Sequence, residues 1–219
     1  MSEALLSPLV ERAIEIAAEW HDGTFRKGRW TEPCAEAADG GVVRVPTMAH
    51  VTTVAMTVQR AGWGDEAVAA AFLHDALEDG DRYGRTLDRN RLAALVGEAV
   101  VRIVEAVSEP KLGPDGMPLP WRARKETYLA RLGAGTSEAS AVSLADKLHN
   151  AYTMASSLEA GVDIFTSAPG RRALSAGPVD QLWFFEAVLD VTRAHDDPRL
   201  VPMRDRLGEE IERFQTAIR

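Results

Sequence analysis

Phe72-Leu73-His74-Asp75-Ala76-Leu77-Glu78-Asp79-Gly80 sets three carboxylates and an imidazole into six positions, directly after the apolar run 68–73. Read as a helix, the stretch puts His74 and Glu78 one turn apart, and Asp75 and Asp79 likewise. Two polar stripes then emerge from one end of a buried helix. Carboxylates at this spacing repel one another unless a cation gathers them, and a divalent metal does so.

Working outward, two further features bear on this stretch. His50 sits upstream, in the first turn of a helix expected to pack beside this one. Asp146 sits downstream, on a helix whose other face carries Val142, Ala145 and Leu148. His50, His74, Asp75 and Asp146 together offer two nitrogen and two oxygen ligands. That mixture suits Mn²⁺ or another divalent transition metal better than a structural zinc site, which favours thiolates. Four protein ligands on an octahedral ion leave two positions, one for water and one for a phosphoryl oxygen.

The remaining chain reads as helices. Ser7-Pro8 opens the first, with Val10, Ala13, Ile14, Ala17 and Trp20 as its buried stripe and Gly23 at its end. Thr47 is read as the cap of a helix ending before Gly62. Asp65 is read as the cap of the helix that carries the opening stretch as far as Gly80. Further helices are expected over 86–96 and 98–107, broken near Gly97, and over 121–132. Ser137 is read as the cap of the helix bearing Asp146, and two more run over 179–195 and 199–218. Glycine and proline mark loops at 30–45, 110–120 and 161–177. The expectation is an all-α, single-domain helical bundle over 1–219, with a motif-bearing core at about 8–195 and a C-terminal helix at about 199–218.

Composition narrows the function. A formal charge of −8, without a long basic tract, argues against a partner among nucleic-acid polymers. Cys34 is the only cysteine, which excludes an internal disulfide and a thiolate metal site. The N-terminus has no basic region followed by an apolar core, and no apolar run approaches a membrane span, so the expected location is the cytoplasm. Homodimerisation through an apolar helix face is the one expectation of assembly.

His50, His74-Asp75 and Asp146 stand in the order of the HD superfamily of metal-dependent phosphohydrolases. More narrowly, residues 74–79 resemble the HDxxED motif of RelA/SpoT-type alarmone hydrolases. Leu144-Ala145-Asp146-Lys147-Leu148-His149-Asn150 resembles their LADKLHN segment, and Arg26-Lys27-Gly28 their RKG turn. The resemblance spans most of the chain and implies a stand-alone small alarmone hydrolase with an all-α HD fold. Its implied reaction is Mn²⁺-dependent removal of the 3′-pyrophosphate of (p)ppGpp, giving GDP or GTP and pyrophosphate.

Carried over by position, the resemblance makes His50, His74, Asp75 and Asp146 the metal ligands. Glu78 and Asp79 become the catalytic carboxylates, orienting or deprotonating the attacking water. Arg26 and Lys27 face base or phosphate, Asn150 and Thr153 hydrogen-bond to the nucleoside, and Lys147 contacts phosphate. Lys111, Arg122 and Lys125 are expected to guide the outer phosphates.

The pattern departs at Val45-Pro46-Thr47-Met48-Ala49-His50, where many relatives carry tyrosine in place of Thr47. That departure keeps two alternatives in view: hydrolysis of another phosphorylated nucleotide, such as the 2′-phosphate of NADPH, and a non-catalytic nucleotide-binding HD protein. His21 and His195 are read as surface, core-edge or loop residues. His149 is left out of the metal shell. Trp183, Phe184 and Phe185 are read as core.

Overall fold

A computed structural model describes residues 5–31, 43–167 and 172–219; for residues 27–31 and 43 it describes the backbone alone. The order is α1 (Pro8–Trp20), β1 (Phe25–Thr31), β2 (Val43–Pro46), α2 (Thr47–Arg60), α3 (Asp65–Leu73), α4 (Arg89–Val96) and α5 (Glu98–Ala106). Then come α6 (Trp121–Gly133), α7 (Ser137–Glu159), α8 (Pro178–Val191), a 3₁₀ turn (Thr192–Ala194) and α9 (Leu200–Ala217). The fold is all-α apart from one two-stranded sheet.

Two helices form the centre. In α3 every residue from Ala67 to Leu73 is buried, and in α7 the run Ala139 to Lys147 is buried throughout. A helix covered on all sides has no polar face, so its neighbours must surround it. Accordingly α3 packs on α1, α2, α5 and α7, and α7 packs on α2, α3, α8 and α9. The alanines of α3 let the surrounding helices approach closely, while Phe185, Phe214, Leu144, Leu200 and Leu207 fill the space between α7, α8 and α9.

Most expected boundaries hold within a residue or two. Ser7 caps α1 by accepting from the Val10 N–H (3.3 Å). Gly97, at φ 88°, turns the chain between α4 and α5, a conformation that a side chain would strain. The caps of α2, α3 and α7 shift by one residue, to Pro46, Gly64 and Thr136. The fourth helix begins at Arg89, capped by Asp88, rather than at Thr86. On α1, Ile16 is buried with Ala13 and Ala17, while Val10, Ile14 and Trp20 are half-buried at the core's edge.

Two differences matter for the site. The ends of the expected 30–45 loop pair as antiparallel strands, with Trp30 opposite Arg44 and Thr31 opposite Val43. Valine, tryptophan and threonine at those ends suit a pleated edge, and the glycines within the stretch masked that preference. Residues 32–42 of the loop, with Cys34, lie outside the described residues, as do 168–171 of the 161–177 loop.

Second, α3 stops at Leu73, and residues 74–79 follow as tight turns. The Ala76 N–H bonds the Leu73 carbonyl (2.9 Å), and the Glu78 and Asp79 N–H groups bond that of Asp75 (3.1 and 2.9 Å). The carbonyls of Glu78 and Asp79 are taken by side chains from elsewhere, the Lys111 ammonium and the Trp20 indole N–H (2.8 Å to Asp79). Those partners replace the amides of a further helical turn, so Gly80 is not a helix-ending glycine. Among the described residues no helix is long and apolar enough to cross a membrane.

Candidate metal centre and its cavity

The end of α3, the first turn of α2 and the middle of α7 meet at one point. His50 Nε2 lies 3.2 Å from Asp146 Oδ1 and 4.0 Å from Asp75 Oδ2. His74 Nε2 lies 3.3 Å from Asp75 Oδ1 and 3.8 Å from Asp146 Oδ1. Ligand-type atoms of His50, His74 and Asp146 all fall within 4.8 Å of one another, and all three residues are buried. The first histidine, the histidine–aspartate pair and the distant aspartate expected from the sequence are thus brought together.

The donors fit a divalent cation. His74 Nδ1 lies 2.8 Å from the carbonyl of Ala71, which can only accept, so Nδ1 carries the proton. The lone pair is left on Nε2, which is buried, has no hydrogen-bond partner among the described residues and faces two carboxylates. Lone pair against carboxylate is repulsive, and a cation between them reverses the sign. Burial, with the nearby Arg26 guanidinium, holds His50 well below the usual imidazole range, so this ring is also neutral and able to ligate.

Asp146 is ionised for a definite reason. Burial pushes its carboxyl up, but the Lys147 ammonium against it outweighs that and holds it well below the usual range. Its Oδ2 is bound by Lys147, and its Oδ1 accepts from Asn150 Nδ2 (2.6 Å). Arg26 in turn donates to Asn150 Oδ1. Asn150 therefore links the sheet to a buried carboxylate, and it retains one N–H and one lone pair for another partner. The Thr153 hydroxyl donates to the Asn150 carbonyl (3.1 Å).

The cluster forms one wall of a cavity of about 300 Å³. Arg26, Thr47, Glu78, Asp79, Lys147, Asn150 and Thr153 line it with His50, His74, Asp75 and Asp146. Such a volume suits a small molecule and not a polymer. Glu78 Oε1 accepts from the Glu109 N–H (2.7 Å), and burial, with Asp75 beside it, pushes its carboxyl up to about 8. Asp79 is more exposed and pairs with Lys111 (3.0 Å). The Lys27 side chain lies outside the described residues.

The structure separates two of the cations expected to guide phosphates and adds residues that pattern reading did not assign, Glu109 and Phe184. Lys125 lines the cavity while Arg122 does not; Arg122 pairs with Glu126 and stacks over Trp183 at 3.1 Å. Lys125 and Arg124 clamp the Glu109 carboxylate, and burial, with Lys147 nearby, lowers the Lys125 ammonium. The buried Phe184 ring lies beneath both lysines, 4.5 Å from Lys125 Nζ and 5.2 Å from Lys147 Nζ.

At the far end the lining is Phe25, Met154, Ser157, Ile164, Leu174 and Ser175. Met154 and Ser157 continue the helical spacing of Asp146, Asn150 and Thr153, a signal present in the sequence. Ile164 and Leu174 are joined by a backbone bond (3.1 Å) inside a loop, where no periodicity points to them.

Two histidines differ from expectation. His21 is buried near Asp75, His74 and Asp79, its Nε2 without a hydrogen-bond partner among the described residues. Burial lowers its imidazole, with Asp75 opposing. His195 bridges elements rather than sitting in a solvated loop: Nδ1 meets Ser140 Oγ at 2.8 Å and Nε2 meets the Gly135 carbonyl at 3.0 Å.

An all-α bundle closing a His–His–Asp cluster over a small-molecule cavity defines a divalent-metal-binding domain. The HD domain family model matches residues 29–166, and the chain belongs to that family. Among solved structures, it is similar to a metazoan ortholog of SpoT that hydrolyzes ppGpp and plays a role in starvation responses. The TM-score is 0.65 at 20% identity, over 95% of this chain and 97% of that one. It is also similar to lmo0812 from Listeria monocytogenes EGD-e, with a TM-score of 0.61 at 24% identity, over 77% of this chain and 97% of that one. At these identities the likeness is one of fold. Comparison with curated proteins gives no significant match.

Proposed function

We propose that the protein is a metal-dependent hydrolase of the 3′-pyrophosphate of (p)ppGpp, acting in the cytoplasm in the stringent response. The observation that carries the proposal is the buried His74 Nε2, unpartnered among the described residues and facing two carboxylates at the wall of a cavity that also holds Arg26, Lys125 and Lys147. The fold shared with a metazoan ppGpp hydrolase supports the choice of substrate.

His50, His74, Asp75 and Asp146 would hold the ion, with Mn²⁺ as the proposed metal. When bound, it supplies an acidified water and offsets negative charge on the phosphoryl oxygens. Glu78, fixed through Oε1 by the Glu109 N–H and ionised once a divalent cation offsets the neighbouring negative charge, would take the proton of the attacking water on its other carboxylate oxygen. Asp79, anchored by Lys111, orients that water. The water oxygen bonds to the phosphorus beside the ribose 3′ oxygen, and the P–O3′ bond breaks. The 3′ oxygen leaves with a proton, giving GDP or GTP and pyrophosphate.

Lys147 and Lys125 receive the charged phosphates, with Lys111 at the same side of the cavity. Arg26 and Lys27 face the base, whose apolar surroundings are Phe25, Met154, Ile164 and Leu174. Asn150, through its spare donor and acceptor, and Thr153 hydrogen-bond to the nucleoside.

Thr47 on the cavity wall favours a second reading, a phosphohydrolase for another nucleotide such as the 2′-phosphate of NADPH. A nucleotide panel with Mn²⁺, read by product mass, tests both. Pyrophosphate from ppGpp supports the first reading; orthophosphate from NADPH with ppGpp left intact replaces it with the second.

A further inference from the structure

His149 belongs to none of the roles above, yet it touches a proposed ligand. From α7 its ring meets that of His50 edge to edge, with centroids 4.8 Å apart and planes 25° from parallel. The two Nδ1 atoms stand 2.6 Å apart. Two lone pairs cannot share so short a contact, so one proton lies between them and belongs to one ring.

The other side of His50 decides which ring. Its Nε2 points at Asp146 Oδ1 and Asp75 Oδ2. A ring that gives its Nε2 lone pair to a cation carries its single proton on Nδ1. We propose that His149 is a positioning residue for the metal centre: its Nδ1 accepts the proton of His50 Nδ1 and so keeps His50 Nε2 bare and aimed at the ion. The contact to His149 then does for His50 what the Ala71 carbonyl does for His74.

There is one physical difference between the two arrangements. A carbonyl only accepts, whereas an imidazole nitrogen accepts or donates according to its tautomer. The His50 ligand is therefore oriented by a partner that must itself hold its proton on Nε2. Within residues 146–150, one ligand and three orienting groups follow one another: Asp146, with Lys147 and Asn150 on its two oxygens, and His149 on His50.

The inference rests on the metal centre and not on the substrate. It is tested by calorimetric titration of Mn²⁺ into chelator-stripped protein, for the parent, His149→Phe and His149→Gln. Phenylalanine keeps a ring in the same space but cannot accept, and glutamine can accept through its amide oxygen. The expected result is a loss of Mn²⁺ affinity of about 10–100-fold for His149→Phe, most of it restored in His149→Gln. Thermal unfolding of both variants in chelator should stay near that of the parent.

Parent-like Mn²⁺ affinity in His149→Phe overturns the proposal. So does an equal loss in both variants accompanied by an equal fall in melting temperature in chelator, which marks a packing role. A parent chain that binds Mn²⁺ but leaves ppGpp intact overturns the proposed reaction alone.

Discussion

Two helices deliver carboxylates to the candidate metal centre by opposite means. On α3 the chain leaves the helix at Leu73, so that Asp75, Glu78 and Asp79 come from turns at the cavity's edge. On α7 the helix continues unbroken, and Asp146 projects from its buried middle. The turn end is held by partners at the surface, Lys111 on Asp79 and the Trp20 indole on the Asp79 carbonyl. The helix middle is held by groups taken out of water, with Lys147 and Asn150 on the two oxygens of Asp146. A charge in the second setting depends on its partners for the stability of the fold. In the first it depends on them mainly for position.

Substitutions on the two sides should therefore differ in kind. Asp146→Asn is expected to have the largest effect, abolishing turnover and leaving the Lys147 ammonium buried without its counter-charge. Breaking such a pair costs about 3–5 kcal/mol, to be read by urea unfolding in chelator. If stability is unchanged, the distinction between the two sides fails.

Glu78 lies between these extremes, and pH separates its contribution. Its carboxyl, raised from 4.5 to about 8 in the fold, binds a proton more tightly folded than unfolded. Between those values the folded state holds the extra proton, so stability in chelator should fall as pH rises from about 4.5 to 8. Glu78→Gln should flatten that slope, and a divalent ion should oppose it. An unchanged slope in the variant would assign the effect to another group.

Lys111→Ala should act on the turn end with a smaller effect. Its ion pair with Asp79 is half exposed, so stability should change by less than about 1 kcal/mol, while turnover falls because Asp79 loses its anchor. The smallest change in turnover is expected from Trp20→Phe, which removes one hydrogen bond to the Asp79 carbonyl and no cavity side chain. About 1 kcal/mol is expected from that loss, seen as a lowered unfolding midpoint with Mn²⁺ affinity preserved.

The same contrast explains what was legible in the sequence. Asp146 and its neighbours could be read because a continuous helix keeps its period, which places Asp146, Asn150 and Thr153 on one face without any tertiary information. Residues 74–79 gave side chains that do line the cavity, but in the wrong backbone. Whether their carbonyls pair within a helix or with Lys111 and Trp20 depends on side chains at least thirty residues away in sequence. The sheet at the cavity mouth was hidden by the glycines between its strands. The roles of Glu109 and His149 arise from tertiary contacts and have no signature in spacing, while Lys125 was legible only as one of several cations on its helix. His21 shows the limit again, since the end of an amphipathic helix reads as surface until the turn of residues 74–79 covers it.

The central claim is that His50, His74, Asp75 and Asp146 form one divalent-metal site, and metal titration of His74→Ala tests it most directly. The account predicts one Mn²⁺ per parent chain and an affinity at least about 100-fold weaker in the variant, with the helical fold intact by circular dichroism. Parent-like affinity and stoichiometry in a folded His74→Ala protein would contradict it.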